Sequence, residues 1–332
     1  MFERIWTYPI HHAVGAFAMD GDDCFVAERN THLVSLCAGT GERRWSVRIT
    51  NPYGWLAFNL QTVFYLNQHA LLIAVDRRTG ELRWSRELFG INGWLHASKE
   101  RVVVGGWRGY SDILALDAND GRTCWSRSAR NAELHSTRIH AESQSLIVAE
   151  SQKRRLVFLR LTDGNEIAEY SVGDWDDKFI EHPTGTARPS DAAIVQRNQH
   201  ELLVIAGTDP SIRVVPISTT IWSKNLTCSG SVVPFVTPTR ELSAFHLNDN
   251  RILSLGPIRH NRRDILPFCE LSTGSFLVGT SFGEVRHLSR SGEQNASQKI
   301  GKRIATNIAL AGQVAVCGTD SGEVVGVDVT MD

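Results

Sequence analysis

Apolar and polar residues alternate in short runs along nearly the whole chain, and turns rich in Gly, Asp and Asn separate the runs. A period of two marks half-buried strands. The clearest stretches are LVSLCAGTGERRW (33–45), LIAVDRRTGELRW (72–84) and ILALDANDGRTCW (113–125). Each reads as an alternating strand, a polar turn ending in Gly, a short polar step and a Trp. The three tryptophans recur at about forty residues, a period that announces a repeat architecture. No window sustains a helical period, so the chain is expected to be all-β.

Weaker copies follow. Residues 156–164 read LVFLRLTDG with Ala168 at the Trp position, 212–222 read IRVVPISTTIW, and 285–292 read VRHLSRSG with Ala296 at the Trp position. A last copy begins at VVGVD (324–328) and stops at Asp332, while ERIW (3–6) at the other end matches ERRW (42–45). The first strand therefore has the sequence of a repeat's last strand. Two further strands precede each shared segment, as in GWLAFNL (54–60) with VFYLN (63–67). Four strands per copy is the content of a propeller blade. The expectation is one domain, 1–332: a closed β-propeller of four-stranded blades whose N-terminal strand completes the last blade, leaving no free edge there. Inner-strand pairs at 13–28, 54–67, 93–107, 135–149, 191–207, 232–247, 265–280 and 305–319 predict eight blades. Seven is the alternative, because the copy near 232–263 lacks a clear outer strand.

The pattern Leu-x-Ala-Leu-Asp-x-x-x-Gly-x-x-x-Trp, best seen at 114–125 and 72–84, resembles the PQQ-like repeat. That repeat builds quinoprotein alcohol dehydrogenases and the BamB-type outer-membrane assembly lipoproteins, which carry it without the quinone. The resemblance implies that Trp6, Trp45, Trp84, Trp125 and Trp222 dock between adjacent blades while Gly and Asp shape the turns. The features of the quinone enzymes, a vicinal cysteine pair above all, are absent from the sequence, so no cofactor is expected. The lipidation cysteine of the BamB type has no counterpart near Met1.

Composition narrows the function classes. Hydrophobic residues make up 42% of 332, enough for a large core, and the formal net charge is −1. That balance argues against a nucleic-acid binder, which shows a strong basic excess. Six cysteines are scattered without a CxxC pair and mostly sit in apolar runs, where thiols behave as small hydrophobes. The N-terminus has neither a basic nor an apolar leader segment, and no run is long and apolar enough for a membrane span. A cytoplasmic protein with no membrane contact, monomeric on its own, is expected.

Propellers bind through the loops joining one blade to the next and those between the second and third strands of a blade. In those loops Tyr53, Trp55, Trp94, Trp107 and Tyr110 supply aromatics, with Trp175 in the long 173–190 insertion. Arg108, Arg188, Arg262 and Arg263 supply guanidinium groups, and both residue types are enriched at binding hot spots. Trp55 and Trp94 each follow a Gly at equivalent positions, so a second structural repeat feature competes with binding there. The acidic cluster in 173–190 lacks a glycine-shaped ligand loop, and His96, His135 and His140 are dispersed along inner strands, so no metal is expected. No nucleophile, HExxH or phosphate-loop motif occurs. The expected function is a non-catalytic, WD40-like scaffold subunit of a cytoplasmic bacterial assembly that binds a protein partner through one rim. The alternative is a small-ligand-binding or enzymatic propeller working at the channel mouth.

Overall fold

The computed structural model describes residues 2–330 apart from 11–13, 29–30, 50–53, 68, 92, 107–110, 129–134, 141–142, 151–152, 173–177, 180–191, 199, 207–210, 223–228, 230–231, 248 and 261–265. Its regular structure, among these residues, is entirely β. Strand β1 (Glu3–Pro9) is followed by β2–β5 (Val14–Asp20, Asp23–Glu28, His32–Cys37, Arg43–Arg48), β6–β9 (Gly54–Phe58, Thr62–Asn67, Leu71–Asp76, Leu82–Glu87) and β10–β13 (Gly93–Ala97, Arg101–Gly106, Ile113–Asp117, Thr123–Arg127). Next come β14–β17 (His135–His140, Ser145–Glu150, Arg155–Arg160, Glu166–Ser171) and β18–β21 (Lys178–Phe179, Ala192–Asn198, Glu201–Ala206, Ser211–Pro216). The chain closes with β22–β24 (Val232–Val236, Glu241–His246, Arg251–Pro257), β25–β28 (Phe268–Glu270, Phe276–Gly279, Glu284–Leu288, Gln294–Lys299) and β29–β31 (Ala309–Ala311, Val314–Gly318, Glu323–Asp328).

These strands form eight antiparallel sheets, seven of four strands and one, β22–β24, of three described strands. Consecutive strands are neighbours in each sheet, with one exception. The last sheet runs β1-β31-β30-β29, so the N-terminal strand completes it as expected. The eight sheets match the eight inner pairs expected from the sequence.

The chain divides into two compact units. The first comprises Met1–Ile49, Ile180–Thr186 and Val215–Asp332; the second comprises Thr50–Phe179 and Ala187–Val214. In the second unit, Phe64, Leu66, Leu72 and Ala74 of one sheet pack on Leu95, Val102, Val104 and Leu116 of the next. Val103, Ala115 and Trp125 then meet Leu146, Val148 and Val157 of the third. In the first unit, Phe17, Val26 and Leu36 pack on Val316 and Val324. Alternation thus places both apolar faces of a sheet between neighbours, and the outer strands, with burial alternating between exposed and half-buried, carry the polar residues.

The Gly and Trp of the repeat motif meet between copies, not within one. Trp84 Nε1–H donates to Ala118 O at 3.1 Å, and a Cβ on Gly121 would lie 2.8 Å from the Trp84 ring. Trp125 repeats this with Leu161 O at 2.9 Å and Gly164, and in the first unit Trp6 does so with Ala38 O at 3.0 Å and Gly41. Each indole therefore seats on the turn of the following sheet, in space that only glycine leaves open. On its other side Trp6 fills the place a Cβ on Gly326 of β31 would take. Gly326→Val is therefore expected to unlock the completed sheet and lower the urea midpoint by the equivalent of about 3 kcal/mol; a loss below about 1 kcal/mol would show that β1 holds without its tryptophan.

Two parts of the sequence reading shift by a strand. Residues 173–190 do not form a single loop between sheets: β18 lies within them and pairs with β19 through Lys178–Gln196 and Phe179–Val195. In the three-stranded sheet the strand without a described counterpart is the first, not the outer one. The Thr237–Glu241 turn between β22 and β23 has the hydrogen bonds of Thr280–Glu284 and Thr319–Glu323, which join second and third strands. Gly292 of the next sheet's turn also lies against the Leu255 backbone of β24, as Gly121 lies against Trp84. Trp222 accordingly lies outside every strand, where its N–H donates to Val236 O at 2.8 Å at the end of β22.

Candidate protein-interaction rim

The three Thr-x-x-x-Glu turns of the first unit share one construction. The threonine N–H donates to the glutamate carbonyl at 2.8–2.9 Å, and the threonine hydroxyl accepts the glutamate N–H at 3.2–3.3 Å. The fourth residue takes a left-handed backbone, which Gly283 (φ 72°) and Gly322 (φ 84°) adopt without cost. Arg240 holds the same position at φ 66°, a conformation that costs a side chain of this size of order 1 kcal/mol.

The turns are tied to the segments that follow the outer strands, forming a continuous bonded rim. The Arg240 guanidinium lies 4.4 Å from the centre of the Trp222 ring, and its Nη1 donates to His260 O at 2.9 Å. His260 Nδ1 and Ser281 Oγ are 3.5 Å apart. The Ile300 and Gly301 N–H groups both donate to Gly283 O, at 2.9 and 3.3 Å. Arg303 N–H donates to Asp320 Oδ1 at 3.0 Å, Asp320 N–H returns to Arg303 O at 3.1 Å, and Ile10 N–H reaches Gly322 O at 2.9 Å. Main-chain bonding fixes these tips, so side chains on them are presented from a braced frame.

Phe282 stands on this frame, 56% exposed. The corresponding residues of the sister turns are Thr239 and Ser321, so an apolar ring replaces a small polar side chain. Around it, Lys299 Nζ donates to Phe282 O, and Lys302 and Arg259 are exposed. Arg303 is paired with Asp320 at 3.6 Å, and Glu284 with Arg286 at 2.9 Å.

Of the residues selected from the sequence, Tyr53, Trp107, Arg108, Tyr110, Trp175, Arg188, Arg262 and Arg263 lie outside the described residues. Trp55 and Trp94 occupy the second position of the first strands β6 and β10, opposite Leu66 and Gly105. Both are half-buried, and Trp55 packs on the apolar cluster between those sheets. Trp45 is 7% exposed and Trp125 8%, while Trp6, Trp84 and Trp222 are half-buried. Composition-based selection missed Phe282, Arg240, Lys299 and Lys302, and in the second unit Phe89, 85% exposed just after β9. The signal for Phe282 was present: it is the apolar departure in a turn whose copies are polar.

Titratable chemistry elsewhere is muted. Burial pushes His96 of β10 down to about 4, and it pushes the thiols of Cys269 and Cys317 up to about 11 and about 12. Cys24 is raised in the same way. Neutral thiols of this kind are poor nucleophiles. Among the described residues no three His, Cys, Asp or Glu side chains lie close enough to hold a metal ion.

Residues 52–209 match the family model described as outer membrane protein assembly factor BamB. None of the curated proteins matches the sequence. Among solved structures, BamB from Moraxella catarrhalis superimposes with a TM-score of 0.71 at 16% identity, over 99% of this chain and 100% of that one. The computationally designed Ika8 protein gives 0.71 at 12%, over 98% and 99%, and Saccharomyces cerevisiae Sqt1 gives 0.70 at 10%, over all of both chains. Likeness at such low identity carries the fold: the sheets are blades of a β-propeller. The repeat motif and the match over 52–209 are consistent with a PQQ-like repeat.

Proposed function

We propose that this protein is a non-catalytic interaction platform, a scaffold subunit of a cytoplasmic bacterial assembly that engages a protein partner through the bonded rim of the first unit. The observation that carries this reading is the exposed Phe282 on a turn braced by main-chain hydrogen bonds. A braced, exposed aromatic ring is the kind of side chain that anchors protein interfaces. The family matched over 52–209 is described as an assembly factor, which agrees with a binding role. A reducing compartment is supported by the five described cysteines, all free thiols.

The test is a photo-crosslinking amino acid placed at Phe282, at Phe89 and, as a control, at outer-strand Ile167 in the native host. A discrete protein adduct from Phe282 but not from Ile167 is expected. Absence of adducts from both loop positions would sink the platform reading. The second reading, a small-ligand or enzymatic propeller, rests on His96 Nε2 and Thr137 Oγ1, which are buried without a hydrogen-bond partner on β10 and β14.

A further inference from the structure

The chemistry of the rim narrows the partner, an inference that rests on the platform reading. Two neighbouring turns depart from their own repeat, each toward a group that the turn does not need. Thr280–Glu284 places Phe282 where its sisters have Thr239 and Ser321, and Thr237–Glu241 places Arg240 where its sisters have glycine. Four cations on this rim hold no carboxylate among the described residues. Arg240 and Lys299 are bonded to main-chain carbonyls, of His260 and Phe282, and Arg259 and Lys302 stand in solvent. The acids Asp320 and Glu284 are occupied by Arg303 and Arg286, which leaves Glu241 and Glu323 against the four.

We propose that the rim receives an acidic, extended protein segment bearing an apolar side chain, which covers Phe282 while its carboxylates meet Arg240, Arg259, Lys299 and Lys302. The apolar contact supplies residence and the charges supply orientation and encounter rate. Glu241 and Glu323, set among the cations, oppose the continuous phosphate chain of a nucleic acid. A peptide can space its carboxylates around them.

Fluorescence anisotropy with the full chain tests this, using four labelled probes. These are a short Asp/Glu-Gly-Ser peptide with one Leu, the same peptide with Ser for Leu, a Lys version, and oligo(dT). The Asp/Glu peptide with Leu is expected to bind, with affinity falling as salt rises. Phe282→Ser and Lys302→Glu should each weaken it by about tenfold, with thermal midpoints unchanged because both side chains are exposed. Loss of Leu should weaken binding as Phe282→Ser does. No binding by the Asp/Glu-Leu probe, equal binding of the Lys probe, or tighter binding of oligo(dT) would each overturn the proposal. An adduct at Phe282 combined with any of those results would leave the platform standing and discard only the acidic partner.

Discussion

Trp125→Ala is expected to cost about 4 kcal/mol of unfolding free energy, near the upper end for a buried aromatic. Three losses add. The ring is 8% exposed and packed among Val103, Leu146 and Val157, so its removal opens a cavity between two sheets. Its indole N–H bond to Leu161 O is lost, leaving that carbonyl without the donor. The space above Gly164, shaped by the indole, is emptied as well. Urea midpoints at constant m would measure the effect. Gly164→Ala disturbs the same contact from the other side, at a residue with φ 74°. The double mutant should therefore cost less than the sum of the singles by about 1 kcal/mol. Strict additivity would show that indole and glycine do not act as a pair.

Glu150→Gln is expected to cost about 2 kcal/mol near neutral pH. The Glu150 side chain is 5% exposed at the end of β15. It accepts from Arg155 Nε, from Arg127 Nη2 of the preceding sheet at 3.3 Å, and lies 3.6 Å from Lys153 Nζ. Glutamine keeps an acceptor but removes the charge that three cations share. Burial works to raise the carboxyl, yet the hydrogen bond and charge of Arg155, with Lys153 and Arg127, outweigh it and hold Glu150 below its usual value of 4.5. A lowered folded-state pKa contributes stability above the unfolded value and loses it as pH falls through the folded one. The wild type should therefore lose stability on acidification below about 4.5 more steeply than Glu150→Gln. Parallel pH profiles would count against the network. Glu169, bonded to Arg155 at 2.6 Å but 44% exposed, should cost less than about 1 kcal/mol when changed to Gln.

The blades were legible because alternation at a fixed period is a property of local sequence. The strands of the first three complete copies and the closing role of ERIW were readable for that reason. The partner of each Trp was not, because the glycine it seats on belongs to the next copy, about forty residues away. Where Trp gives way to Ser254 and Leu255, the motif vanishes although the outer strand persists, and the sequence reading lost its register there by one strand. The turn motif Thr-x-x-x-Glu would have restored it. Surface chemistry was less legible: counting aromatics and arginines in loops selected residues by type, whereas Phe282 is distinguished by its difference from Thr239 and Ser321.

The last sheet joins the beginning of the chain to its end, with Glu3 opposite Asp328 and Pro9 opposite Glu323. On the ribosome β1 is made long before β31 and lacks that partner until β31 emerges. Throughout synthesis a strand bearing Trp6 and Tyr8 waits with both edges open. Contacts of such sequence separation form late and slowly, and unpaired edges recruit other chains. Nascent chains released before β31 is made should thus be the aggregating species.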